Sequence, residues 1–129
     1  MKKNILFVCI ENSNRSQVAQ AFAIIHGKEK VNVHSAGSKP SGSINSKAIT
    51  AMKEVGYDLS VHKSKSLIEI PDVIYDYVIT MGCGDECPFI IAHHREEWNI
   101  HDPRDMNEVD FRNVRDSIEE KVVSLLGKL

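Results

Sequence analysis

Between residues 5 and 26 the chain passes from an apolar run, through a short polar loop, into an amphipathic helix. That passage constrains the fold more than any other stretch. Ile5, Leu6, Phe7 and Val8 are consecutive apolar positions, the pattern of a strand buried on both faces in a parallel sheet. Gln17 to His26 carries Val18, Ala21, Phe22 and Ile25 at helical spacing. Between the two stands Cys9-Ile10-Glu11-Asn12-Ser13-Asn14-Arg15-Ser16. A cysteine leaves the strand, Ile10 to Asn14 form the loop, and Arg15 opens the helix. Backbone N–H groups of such a loop and of the helix N-terminus form a socket for a tetrahedral oxyanion. Arg15 adds a planar fork of donors suited to two oxygens of that anion. The same positive field favours the thiolate of Cys9, its nucleophilic form. Ser16 either hydrogen-bonds that thiolate or caps the helix. A bare cysteine and arginine at this spacing also describe a buried inert thiol and a surface residue. The strand before, the helix after and Ser16 favour the nucleophile in an anion site.

The rest of the chain repeats the alternation. Gly27 is a natural C-cap for the first helix. Val31 to His34 alternates like a short strand, and Ser35 to Gly42 reads as a loop by composition. Ile44, Ala48, Ile49, Met52 and Val55 mark a second helix, with Ser43 as N-cap and Gly56 as its stop. Tyr57 to Ser66 is polar, a loop or short helix, and Leu67 to Pro71 is a connector or helical turn. Tyr75 to Met81 is a central strand. Phe89 to Ala92 is apolar, His93 to Glu97 polar, and Trp98-Asn99-Ile100 reads as a last short strand. Phe111, Val114, Ile118, Val122 and Leu125 share one face of a final helix that closes at Gly127. This order predicts one α/β domain over 1–129, with a mostly parallel sheet covered on both faces. Cys9, the loop after Val33, the Cys83 segment and Asp102 then follow strand ends on one edge, the usual place of a ligand crevice.

Composition narrows the partners. The formal net charge of −2 over 129 residues gives no electrostatic reason to expect nucleic acid or a membrane surface. The apolar run after Met1-Lys2-Lys3-Asn4 is shorter than a signal peptide's, so a cytoplasmic protein is expected. Three cysteines in such a chain point to reactive, redox or metal-binding thiols rather than a disulfide framework. Cys83 and Cys87 flank Gly84, Asp85 and Glu86, and three readings stand: half a zinc site, unconnected thiols, or redox partners exchanging with Cys9. No second cysteine pair or spaced histidine pair completes a zinc site. Glycines on both sides of Cys83 suit the exchange, which best accounts for such a loop. Asp102-Pro103 is a common turn opener. Beside the Cys9 loop it also reads as a carboxylic acid able to protonate a leaving oxygen. Arg104 reads as solvated or as helping to attract the anion, the first being favoured, and the six histidines as surface or satisfied residues.

Taken together, Val8 to Gln17, Ser35-Ala36-Gly37, Thr80 to Pro88 and Asp102-Pro103 resemble the low-molecular-weight protein tyrosine phosphatase superfamily, and within it the thiol-dependent arsenate reductases. The resemblance runs over essentially the whole chain and implies a three-layer α/β sandwich, its four-stranded parallel sheet flanked by helices. It implies that Cys9 attacks arsenate held by the amides of residues 10–16 and by Arg15, while Asp102 protonates the departing oxygen. It further implies a relay in which Cys83 attacks Cys9, releasing arsenite, and Cys87 attacks Cys83. Thioredoxin or a similar thiol system then reduces the last disulfide. A monomer without a tightly bound cofactor is implied, as is a potassium ion near Asn12 in some relatives. The same resemblance leaves a second function: a tyrosine or acid phosphatase in which Cys83 and Cys87 guard Cys9 from over-oxidation. Three departures from the pattern stand out. Only three residues separate Cys83 from Cys87, position 14 is Asn rather than a second loop cysteine, and Arg104 replaces an aromatic residue.

Overall fold

The structure is a computed structural model that describes residues 2–82 and 90–129. Cys83 and Cys87, and every reading that falls on them, lie outside those residues. Strands β1 (Lys3–Cys9), β2 (Val31–Gly37), β3 (Tyr75–Thr80) and β4 (Ala92–Glu97) form one parallel sheet in the order β2-β1-β3-β4. The helices are α1 (Arg15–Gly27), α2 (Ser46–Lys53) and α3 (Glu108–Leu126). Single 3-10 turns occupy Lys28–Lys30, Leu59–Val61 and Leu67–Glu69.

β1 is central, and its Ile5 to Cys9 are all buried, as a continuous apolar run in a parallel sheet requires. Ile5, Phe7 and Cys9 on one face join Val18 and Phe22 of α1 and Phe111, Ile118 and Val122 of α3 in the main core. Leu6 and Val8 on the other face pack with Ala36 and Val78, over which lie Leu67, Ile70 and Ile90. Among the described residues, the cover on that second face is a 3-10 turn and its neighbours rather than a long helix. α2 is fastened to α3 by the buried Arg115, whose Nη1 donates to the Ala51 carbonyl at 2.9 Å and to Glu54 at 2.7 Å.

Three boundaries differ from the sequence reading, each for a physical reason. β2 continues through Ser35 and Ala36 to Gly37, because Gly37 is in register with Cys9 and the strand stays paired to its end. α2 starts later, capped by Asn45, whose Oδ1 accepts from Lys47 N at 2.9 Å. The last strand is Ala92–Glu97, not Trp98 to Ile100. It is an edge strand held by backbone pairing to β3, and its mostly exposed polar side chains hide it from a hydrophobicity search. Trp98 and Ile100 instead turn into the core.

The register brings all four strand ends to one edge: Cys9 opposite Gly37, Val8 opposite Thr80, and Thr80 opposite Glu97. The polypeptide leaving β1 there passes so close to β2 that a Cβ on Gly37 would stand 2.5 Å from the Ile10 carbonyl oxygen and 2.9 Å from Asn12 N. Those atoms are backbone and yield only if the loop moves. Gly37→Ala is therefore expected to destabilise the fold by ~1–3 kcal/mol, the usual cost of overpacking. Denaturant titration measures this, with a lowered midpoint at unchanged slope.

Candidate active site

The loop from Cys9 to Asn14 is turned so that its carbonyls face outward. Those of Cys9, Ile10, Glu11 and Ser13 accept from the amides of Ser38, Lys39, Ser41 and Asn45, at 2.8–3.3 Å. The Asn14 carbonyl takes Val18 N, and that of Asn12 takes Gln17 Nε2. With the acceptors satisfied from outside, the amide edge of the loop is the edge that faces Cys9. Asn12 N donates to Cys9 Sγ at 3.3 Å, and Asn12 reaches this geometry with a φ of 50°. α1 begins at Arg15 with no side-chain cap and no acidic residue in its first turn. α2 and α3, by contrast, are capped by Asn45 and Asn107. The helix that points at the cysteine keeps its N-terminal field uncompensated, as an anion site needs.

The proton positions around Cys9 follow from one unambiguous donor. The amide of Lys65 donates to Asn12 Oδ1 at 2.8 Å, which orients the Asn12 amide group. Asn12 Nδ2 then donates to Ser16 Oγ at 2.8 Å, leaving the Ser16 hydroxyl proton for Cys9 Sγ, also at 2.8 Å. Of the two roles open to Ser16, the structure selects the bond to sulfur. Behind Asn12 the network continues. Gln17 Nε2 donates to the Asn12 and Lys63 carbonyls, so its Oε1 accepts from His62 Nδ1 at 2.9 Å. His62 Nε2 is left to accept the Tyr57 hydroxyl at 2.6 Å. Every link is oriented toward the thiol, and Cys9 stands as the terminal acceptor.

Arg15 and Asp102 complete the site. Arg15 is buried, with Nη1 donating to the Ile100 carbonyl at 3.0 Å and Nη2 lying 3.7 Å from Asp102 Oδ2. Gly82 adopts φ 77°, and a Cβ there would collide with Arg15 Nη1. Only glycine suits that backbone conformation and leaves the guanidinium its place. Cys9, Glu11, Ser13, Asn14, Arg15 and Asp102 together line a small open cleft. Asn14 Oδ1 is buried without a protein partner, an acceptor left over for an O–H group. Arg104 is largely exposed, as the sequence suggests, and forms an ion pair with Glu11 at 2.8 Å.

Potassium does not fit Asn12 as the residues stand. Asn12 Oδ1 already accepts from both Gln17 Nε2 and Lys65 N, each at 2.8 Å. Elsewhere in this region burial, and after it the charge of Lys65, lowers the pKa of both His34 and His62. Burial is the larger cause for each histidine, and burial also lowers the pKa of Lys65 itself.

Sequence reasoning passed over Gln17, Tyr57, His62, Gly82 and Ile100. No local sequence signal marked them, since the burial of Gln17 that demands a partner is visible only in the fold. His62 has a titration consequence. Its folded-state pKa lies below the ordinary 6.5, so the folded chain binds fewer protons than the unfolded chain near that pH. Its contribution to stability is complete above pH 6.5 and is lost as the pH falls through that value toward the folded pKa. Denaturation midpoints followed from neutral to mildly acidic pH are expected to decline, and to decline less steeply in His62→Gln.

With this geometry in view, the likeness to known proteins is specific. The family model for low molecular weight phosphotyrosine protein phosphatase matches residues 4–129. The glutaredoxin arsenate reductase of Synechocystis sp. (strain ATCC 27184 / PCC 6803 / Kazusa) is 36% identical over 130 residues, covering 98% of each chain. A solved arsenate reductase in oxidized state superposes with a TM-score of 0.88 at 36% identity, over 98% of both chains. A thioredoxin-dependent arsenate reductase of Corynebacterium glutamicum gives a TM-score of 0.82 at 32% identity, covering 98% of this chain and 61% of that one. The chain belongs to the low molecular weight phosphotyrosine protein phosphatase family, and over its whole length it is similar to the arsenate reductases built on that fold.

Proposed function

We propose that the protein reduces arsenate to arsenite, with Cys9 as nucleophile and Cys83 and Cys87 as the thiols that supply the electron pair. The observation that carries the chemistry is the set of inward-facing donors around Cys9. The outward-turned loop carbonyls, the uncapped helix and Arg15 surround a sulfur that itself accepts two hydrogen bonds. Such an arrangement holds an oxyanion against a thiolate. Asn14 Oδ1 supports binding of the anion with one oxygen protonated. The thiols at 83 and 87, and the likeness to arsenate reductases, favour reduction over ester hydrolysis.

In the proposed sequence the Cys9 thiolate attacks arsenic, and the departing oxygen leaves as water on taking a proton from Asp102. The Cys83 thiolate then attacks Cys9 Sγ. An S–S bond forms, the S–As bond breaks, and its electron pair stays on arsenic, which leaves as arsenite. Cys83 directly follows Gly82, and Gly82 packs on Arg15, so the second thiol is one residue along the chain from the anion site. Attack of Cys87 on Cys83 frees Cys9 and leaves a Cys83–Cys87 disulfide for an external dithiol of the thioredoxin type in the cytoplasm. The phosphatase reading shares the first step and differs in what resolves the adduct.

Arsenite formation from arsenate with thioredoxin, thioredoxin reductase and NADPH is the test, run beside hydrolysis of an aryl phosphate. Cys9→Ser is expected to abolish both reactions. Cys83→Ser is expected to stop multiple-turnover reduction while sparing any ester hydrolysis; hydrolysis without arsenite in the unaltered protein makes it a phosphatase. Asp102→Asn is expected to slow the first step by about 10²–10⁴-fold, the usual range for a positioned acid. Ser16→Ala removes a hydrogen bond to a charged group and is expected to lower kcat/KM by about ten- to a hundredfold. Steady-state kinetics across the variants check both.

A further inference from the structure

Two walls of the Cys9 cleft, at Glu11 and Asp102, are tied together by an ion pair whose side chains the reaction does not require. Glu11 belongs to the anion loop, and Arg104 to the segment that carries Asp102. Arg104 Nη1 donates to Glu11 Oε2 at 2.8 Å and to Oε1 at 3.1 Å. The backbone beneath Arg104 is secured without that guanidinium. Asp102 Oδ1 accepts from Arg104 N at 3.1 Å. Lys47 Nζ, from α2, donates to the Met106 carbonyl at 2.7 Å and the Arg104 carbonyl at 3.3 Å. The guanidinium is thus not what seats Asp102; it ties the segment of Asp102 to the anion loop at Glu11.

We infer that the Glu11–Arg104 ion pair is a specificity-determining strap that admits a free tetrahedral oxyanion and disfavours one carrying an organic ester group. The inference rests on reading the Cys9 cleft as an oxyanion site. A free anion presents only oxygens, toward the loop amides and toward Arg15, Asp102 and Asn14, which line the cleft. An ester oxygen carries a carbon group that must leave between the walls at Glu11 and Asp102, which the ion pair ties together. The pair also serves charge. Glu11 lines the cleft, and alone its carboxylate would repel any anion equally, ester or not, whereas Arg104 neutralises it. Charge therefore shifts the affinity of both ligand types together, and obstruction shifts only the ester.

That distinction sets the experiment. Dissociation constants of inorganic phosphate and of phenyl phosphate are measured by titration calorimetry on the reduced full-length protein, at a pH where both are dianions. The unaltered protein, Arg104→Ala and Glu11→Gln/Arg104→Ala are compared. Arg104 has 55% of its side chain exposed, so its truncation leaves the core intact, and circular dichroism verifies this. The unaltered protein is expected to bind phosphate more tightly than phenyl phosphate. In both variants the ratio of the two constants is expected to fall by about tenfold, the scale on which a shaped pocket discriminates. A ratio unchanged in the variants overturns the strap, even if both constants move. Equal binding of the two ligands by the unaltered protein overturns it as well. Failure of the parent reading shows separately, as absence of arsenite under the thiol donors.

Discussion

The site depends on where the anion loop's carbonyls find their donors. A loop of five residues between a strand and a helix has as many acceptors as donors, and it can present one edge only if the other is satisfied elsewhere. Here the segment after β2 supplies Ser38, Lys39, Ser41 and Asn45 as donors to the outer edge. Residues of α1 satisfy the remaining two acceptors. The inner edge is left with N–H groups around a sulfur. Gly37 is the hinge of this arrangement, since its missing side chain lets the loop lie against the end of β2. Binding capacity for an anion is in this sense a by-product of backbone accounting completed by another strand's exit loop.

The reach of sequence reasoning follows the same physics. The strand, loop and helix from Ile5 to His26 were legible because apolar periodicity and a cysteine with an arginine at the loop's two ends are local signals. Asp102 was legible as a residue type, and the sheet edge that unites it with Cys9 followed from parallel topology. The Trp98 to Ile100 stretch misled because apolar residues at a strand's exit plug the core as readily as they pair. β4 went unseen because backbone pairing at an edge leaves side chains free to be polar. The chain of Tyr57, His62, Gln17 and Asn12 was out of reach for another reason. Its bonded members lie up to 45 positions apart in the sequence, and hydrogen-bond direction depends on a single backbone amide at Lys65.

Arg15 illustrates how one side chain serves several masters. Its guanidinium donates to the Ile100 carbonyl, approaches Asp102 and rests on Gly82. Three segments that follow β1, β3 and β4 are thereby referred to one rigid planar group. A substitution that retains the charge but not the plane keeps attraction for an anion and loses this common reference.

β4 has a consequence outside catalysis. As the sheet's border on that side it carries His93, Arg95, Glu96 and Glu97, side chains that discourage another chain from adding itself as a fifth strand. Its pairing to β3 uses main-chain groups; Glu96 accepts from Trp98 Nε1 and His94 stacks on Tyr77, while the exposed His93 and Glu97 are constrained chiefly by solubility. Among natural variants of this chain, His93 and Glu97 are the β4 positions that should change most freely while the edge stays polar. A lineage that replaced those charges with valine or isoleucine would keep the cleft geometry and meet its penalty as aggregation at high expression.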